Sequence, residues 1–329
     1  MAQDTGMSVN ANPREISTNP RPSDKVFRSV VSGVGLLAFF VLLLIGSFLV
    51  FRGFEVFKLE GLKFITSAEW NVVTDDTGKQ TYSFGIAAML IGTILIAVIA
   101  LVIGVPISIL TALYLNFYAP ERVKKFLTAV IDLMAAFPSI LYGLWGYFVL
   151  MPMVIYWAKL LNKYLDWIPF LSVQQKFFER SPFLAGIVLA IMIIPIVTSV
   201  SREIFSQAPL DRIQAAYALG ATRWSMIKAV VLPFGASGVV GGAMLGLGRA
   251  FGETVAVYSI LNIVFKINWH ILFGVGGNVA SMIVLKWGEA SPIETKALLA
   301  AGFVLFILTL IVNFAADYIV NRSVKSGRA

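Results

Sequence analysis

Six charge-poor apolar stretches, each of about the twenty residues that a bilayer-spanning helix needs, leave this chain few ways to fold. Hydrocarbon offers no partner to backbone N–H and C=O groups, so a spanning segment of this length must satisfy them within its own helix. The stretches cover residues 30–51, part of 80–120, 133–158, 181–201, about 234–261, and 297–316. The expected fold class is all-α: a polytopic membrane protein with six transmembrane helices, the second kinked at Pro106.

Six spans place both termini on one side. Arg14, Arg21, Lys25 and Arg28 before the first span, Arg122, Lys124 and Lys125 after the second, and Arg322, Lys325 and Arg328 at the end assign that side to the cytoplasm. Lys58, Lys63, Lys159 and Lys176 in the opposite loops work against this. Glu55, Glu60, Glu69, Asp75 and Asp76 offset them in net charge, although acidic residues count little in the rule. The expected partition is an N-terminal tail, residues 1–27, one membrane domain, 28–320, and a C-terminal tail, 321–329. Residues 1–27 are polar and carry Pro13, Pro20 and Pro22, so no cleavable apolar signal is expected and the first span stays as an anchor. Two segments of the far side invite structure: the aromatic-rich 156–180, and 271–285, charge-free but too short to cross and hence re-entrant or interfacial.

Several chemistries drop out. With no cysteine there is no disulfide, thiolate metal site or thiol nucleophile. The formal charge of +8 sits in short loops and forms no continuous basic face, so no nucleic-acid partner is expected. No Gly-x-x-x-x-Gly-Lys-Ser/Thr loop occurs, Gly78-Lys79 lacking both the leading glycine and the hydroxyl residue, so the chain is not expected to be an enzyme that hydrolyses ATP. The lone His270, beside Trp269, has no visible ligand partners and reads as interfacial.

Lys228 and Lys266 bound the fifth stretch, and Arg249 falls near its midpoint with Glu253 one helical turn further on. An Arg at a helix centre costs about 2.5–3.5 kcal/mol on insertion scales, so it is expected to face protein or water. Glu253 at i+4 can compensate it within the same helix. Two readings are open: a pair that neutralises itself to permit insertion, or a guanidinium whose planar donors meet a tetrahedral oxyanion in transit. Base before acid is the weaker order for helix stability, which favours the second. Gly238, Gly242 and Gly246, then Gly248 and Gly252, recur at four-residue spacing, a pattern for close helix packing.

Between the fourth and fifth spans, about 204–233, runs a polar elbow. Gln214-Ala215-Ala216-Tyr217-Ala218-Leu219-Gly220 favours a short helix stopped at the glycine, and Thr222 is placed to cap a second that leads to Leu232-Pro233. This run resembles the coupling-loop motif of permease subunits in ATP-driven importers, with Gln214 where the family usually has Glu.

The likeness extends to Ile131-Asp132-Leu133-Met134-Ala135-Ala136-Phe137-Pro138-Ser139, Tyr142-Gly143-Leu144-Trp145-Gly146, Ser201-Arg202-Glu203-Ile204-Phe205 and Leu247-Gly248-Arg249-Ala250-Phe251-Gly252-Glu253-Thr254. Together they resemble the phosphate-specific ABC importer permease family, and within it the first, C-type, of its two permease subunits. The resemblance implies a type I ABC importer permease fold in a bacterial plasma membrane. It implies a sister permease, two ATP-binding subunits that hold ATP and Mg, an extracytoplasmic phosphate-binding protein, surrounding lipid, and no cofactor in this chain. It implies Arg249 and Glu253 in the substrate path, and coupling to the ATPase through Gln214, Ala215, Ala216, Gly220, Leu232 and Pro233. Asp132 stands where the family often has Glu; a role in the path and simple solvation are both open. The rivals are a permease for sulfate, molybdate or a phosphonate, and an ATP-independent anion transporter.

Overall fold

The computed structural model describes residues 22–74, 80–173 and 175–326. Arg14, Arg21, Asp75, Asp76, Gly78, Lys79 and Arg328, used above for topology and nucleotide binding, lie outside the described residues, as do Pro13 and Pro20. The chain divides within its first helix, α1 (Pro22–Glu60), the first 48 residues forming one unit and Leu49–Ala329 the other.

After α1 come a short α2 (Lys63–Thr66) and an antiparallel hairpin, β1 (Trp70–Thr74) and β2 (Gln80–Phe84), pairing Trp70 with Phe84 and Thr74 with Gln80. The hairpin is an addition to the expected helices, made possible by Trp70 and Phe84, which bury their rings 4.9 Å apart while the Trp70 Nε1–H donates to Glu294 Oε1 at 3.2 Å. Then follow α3 (Ala87–Phe117), α4 (Glu121–Ala136), α5 (Ser139–Trp145), a π-helical turn (Gly146–Leu150), α6 (Met151–Leu165) and α7 (Pro182–Ser206). The elbow holds α8 (Leu210–Ala218) and α9 (Arg223–Met226), joined through a second π-helical turn (Ile227–Val231) to α10 (Leu232–Gly252). Two short helices, α11 (Val255–Ile260) and α12 (Val279–Trp287), precede the last, α13 (Pro292–Ser326). Among the described residues, six helical segments are long and apolar enough to cross a membrane: Pro22–Glu60, Ala87–Phe117, Ser139–Leu165, Pro182–Ser206, Arg223–Gly252 and Pro292–Tyr318.

Two boundaries differ from the sequence reading. The third span begins at Ser139 and not at residue 133, because Pro138 drives Phe137 out of the helical region (φ −67°, ψ 136°). Residues 121–136 form instead the separate amphipathic α4, no residue of which is buried. The fifth span stops at Gly252 and not near 261: Glu253 is extended (ψ 122°), and the chain restarts in α11. At the margins, α1 starts inside the expected N-terminal tail and α13 runs past residue 320. The segment 271–285 runs into α12 and packs on the start of α3. The Val279 N–H donates to Thr93 Oγ1 at 3.1 Å, and Thr93 lies six residues into α3, about 9 Å from that helix's start.

The centre of the second unit is α7 packed against α3 and α10. Here the glycine row has a use, because a methyl group on Gly235 would sit 2.5 Å from Phe205 and one on Gly238 would sit 2.6 Å from Ile204. At Gly242 and Gly246 the distances to Val200 and Val197 are 3.1 and 3.0 Å, so α10 lies against α7 along its length. Gly241, Gly248 and Gly252, by contrast, have nothing within 4 Å of the same position and border open space.

Candidate functional site

Arg249 owes its depth to that packing. The contacts of Gly246 with Ile193 and Val197 fix the antiparallel register of α10 on α7. One turn further, Arg249 lies about 15 Å inside the N-terminal end of α7, a helix about 37 Å long. Its Nε is buried without a hydrogen-bond partner, and among the described residues its guanidinium forms no ion pair. The only ion pair among the described residues is Lys296 with Glu55.

The expected compensation by Glu253 therefore does not form. The helix ends between the two residues, so they are not stacked one turn apart. Glu253, 7% exposed, turns its carboxylate onto the start of α11, where Oε1 accepts from the Ala256 N–H at 3.1 Å. Its backbone carbonyl accepts from Asn278 Nδ2 at 2.7 Å. Asn278 in turn caps α12, its Oδ1 accepting from the Ser281 N–H at 2.9 Å. Two chain reversals, one after α10 and one before α12, are thus held together by a buried asparagine that sequence reasoning missed. Gly276-Gly277-Asn278 directly before an apolar run was the available signal, since asparagine is a favoured N-cap.

The Tyr142 hydroxyl on α5 donates to the Met134 carbonyl at 2.6 Å, closing the end of α4. Beside it an apolar cavity of about 580 Å³ is lined by Phe137, Leu141, Trp145, Phe148 and Ile191. Asp132 is not brought into this group. It is exposed on α4, on the far side of the Pro138 break from the third span, and makes no hydrogen bond or ion pair with a described residue.

The elbow matches its sequence pattern closely. Gly220 is left-handed (φ 81°), its N–H donating to the Tyr217 carbonyl at 2.9 Å while the Ala221 N–H donates to the Ala216 carbonyl at 3.0 Å. Those two bonds satisfy carbonyls that the end of α8 would otherwise leave open, a Schellman closure. Thr222 Oγ1 accepts from the Ser225 N–H at 3.2 Å and caps α9. Ala216 is half-buried against the cluster of Phe205, Met226, Ile227 and Val231, as is Leu232, while Gln214, Ala215 and Pro233 are exposed. Arg202 donates to Thr128 Oγ1 at 2.7 Å, and Asn116 Nδ2 donates to the Arg202 carbonyl at 2.7 Å, tying the elbow's base to α4 and α3. Leu219 at 89% exposure and Leu210 at 70% present apolar side chains at the rim of a polar elbow. The two leucines stand at opposite ends of α8, nine residues apart, and so form no contiguous apolar run in the sequence.

The Glu253 geometry makes a prediction. Glu253→Gln keeps an acceptor at the start of α11, and its thermal unfolding in detergent should match that of the parent. Glu253→Ala should lose about 1 kcal/mol, the usual worth of an N-terminal cap. Equal losses in the two variants would mean that the carboxylate charge, not the cap, is what matters.

A family model described as binding-protein-dependent transport system inner membrane component matches residues 104–325. A phosphate transport system permease protein PstC of Mycobacterium leprae is 44% identical over 313 residues, 94% of this chain and 95% of that one. The PstC 2 protein of Mycobacterium bovis is 41% identical over 320 residues, covering 95% and 97%. PstC of Pasteurella multocida is 35% identical over 309 residues, covering 92% and 93%. Among solved structures, a chain of the bacterial alginate ABC transporter in complex with alginate pentasaccharide-bound periplasmic protein superposes with a TM-score of 0.58 at 16% identity, covering 93% of this chain and 99% of that one. That last likeness concerns the fold alone.

Proposed function

Because the chain belongs to the phosphate transport permease family of binding-protein-dependent inner membrane components, we propose that it forms half of the translocation pathway of an ATP-driven inorganic phosphate importer. It has the type I ABC importer permease fold and is a multi-pass membrane protein. In this reading both termini and the elbow lie in the cytoplasm of a bacterium. A sister permease completes the pathway, two ATP-binding subunits hold ATP and Mg at the elbow, and a phosphate-binding protein docks on the opposite face. The chain itself carries no cofactor and contributes no catalytic residue.

The observation that carries the proposal is the lone charge of Arg249. A guanidinium so deep in a membrane helix must be compensated, and no described residue of the chain does so. Phosphate in transit supplies the missing negative charge, and the planar fork suits a tetrahedral oxyanion. Gly248 and Gly252 flank Arg249 without side chains of their own, leaving room for a hydrated ion. Glu253 acts as a positioning residue: buried and negative, it holds the helix break at the end of α10 and tempers the attraction, so that phosphate leaves. The apolar cavity beside Tyr142 supports a lipid-embedded partner surface such as the sister permease. At the other end, exposed Leu210 and Leu219 beside Gln214 and Ala215 support the grip of an ATP-binding subunit. Closure of those subunits on ATP moves the elbow and with it α10, alternately exposing Arg249 to the two sides. Asp132, exposed near the elbow, would meet phosphate only as it departs.

The test is uptake of labelled phosphate by the reconstituted complex. Uptake should require ATP and binding protein and should resist excess sulfate. Transport that persists after ATP depletion would remove the importer reading, and displacement by sulfate or molybdate would reassign the substrate.

A further inference from the structure

A second guanidinium stands at the end of the bundle opposite the elbow. Arg180 immediately precedes Ser181, the N-cap of α7, and adopts the left-handed conformation (φ 52°), the one non-glycine to do so among the described residues. That backbone is unfavourable for an arginine, and it aims the side chain at two neutral groups. Nη1 donates to Asn262 Oδ1 at 2.5 Å, Nη2 donates to the Tyr147 hydroxyl oxygen at 3.0 Å, and the guanidinium carbon lies 4.8 Å from the centre of the Tyr147 ring. No carboxylate pairs with it among the described residues.

The polarity of those bonds is what matters. Arginine can only donate, so the Asn262 oxygen must face it and the Asn262 NH₂ faces away; Tyr147, accepting from Arg180, keeps its own O–H proton free to donate. Three side chains thus present unused donors around a guanidinium that no carboxylate neutralises among the described residues. A cluster rich in donors around an unneutralised guanidinium, half-buried at Arg180 and Tyr147 and open at Asn262, is complementary to an oxyanion. Arg180 stands at the N-terminal end of α7, about 15 Å along that helix from the level of Arg249. Tyr147 lies one turn beyond Tyr142 on the same helical segment, with its ring against Arg180. Asn262 lies just beyond α11, whose Ala256 packs on Gly143 of that same helix.

We propose that Arg180, Tyr147 and Asn262 form an outer oxyanion site that receives phosphate released by the binding protein and passes it inward to Arg249. This inference rests on the reading of the chain as a phosphate permease and adds a first station to it.

The chain has no cysteine, so a single one can be modified selectively. In the reconstituted complex with binding protein and ATP, Arg180→Cys should lower the maximal rate of phosphate uptake about tenfold. Aminoethyl methanethiosulfonate, which restores a cation of similar reach, should recover at least about half of the lost rate. Hydroxyethyl methanethiosulfonate, which restores a neutral donor of the same size, should recover little. A wild-type complex treated in parallel controls for thiols of the other subunits. Recovery with both reagents would make Arg180 a hydrogen-bonded strut, and recovery with neither would remove the need for charge; both outcomes overturn the proposal. Undiminished uptake by untreated Arg180→Cys would also overturn it. If the wild-type complex takes up no phosphate, the functional reading itself fails, a result separate from any behaviour of the Arg180 variant.

Discussion

Arg249→Ala should abolish phosphate uptake while leaving the protein as stable as before, or slightly more so. A unit charge about 4 Å from an anion at an effective dielectric near 20 is worth about 4 kcal/mol, so removing it should slow transit by at least about a hundredfold. Most buried arginines cannot be truncated without cost, because a partner is left unpaired. Here no described partner exists, and the substitution removes a buried Nε that has no hydrogen bond. Arg249→Lys keeps a point charge but not the fork and should retain a minor part of the rate. The measurements are uptake in proteoliposomes and thermal unfolding in detergent. Uptake by Arg249→Ala within about threefold of the parent would sink the pathway assignment, given the size of the electrostatic effect.

Gly220→Val should disconnect ATP hydrolysis from transport. At φ 81° a β-branched residue meets its own carbonyl, at a cost of roughly 1–2 kcal/mol or more. The closure bonds from the Gly220 and Ala221 N–H groups would open, and α8 would lose its fixed angle to α9. Nothing lies within 4 Å of where a Gly220 side chain would start, so the change acts through the backbone and not by crowding. Uptake should fall by about tenfold or more, consistent with that penalty, while the ATP-binding subunits hydrolyse ATP at a rate no longer raised by phosphate-loaded binding protein. Gly220→Asn, which tolerates the left-handed region, should retain most of the coupling. Coupling by Gly220→Val equal to the parent's would show that the angle between α8 and α9 is not what transmits force.

Both variants rest on residues that a reader of the sequence can find, and the reason is that they obey local rules. Gly220 stops a helix and Thr222 starts one because of what those residue types do to their own backbone. The spans are legible for a similar reason: a lipid-facing helix must be apolar along its whole length. What the sequence concealed is relational. Hydropathy alone ran the third span through Phe137-Pro138 and carried the fifth past Glu253, because an apolar run has the same appearance whether the chain is straight or broken. The i+4 spacing of Arg249 and Glu253 suggested a pair, yet the break rotates the carboxylate toward α11 and leaves the arginine alone. Asn278 and Arg180 act through partners 25 and 82 residues away, Glu253 and Asn262. No local pattern announces such distances. The hairpin is a similar case, its Trp70 reaching across 224 residues to Glu294.

The tight seating of α10 against α7 has a mechanical corollary. With no side chains at Gly235, Gly238, Gly242 and Gly246 to act as bearings, the two rods interlock through the ridge of Phe205, Ile204, Val200 and Val197, and close-packed surfaces of this kind switch as solid pieces instead of deforming by degrees. The span from Leu232 to Arg249 is about 25 Å long. A tilt imposed at one tip therefore arrives at the other as a proportionate swing, received through the π-helical turn at Ile227–Val231, the joint next to the tip where the push is applied.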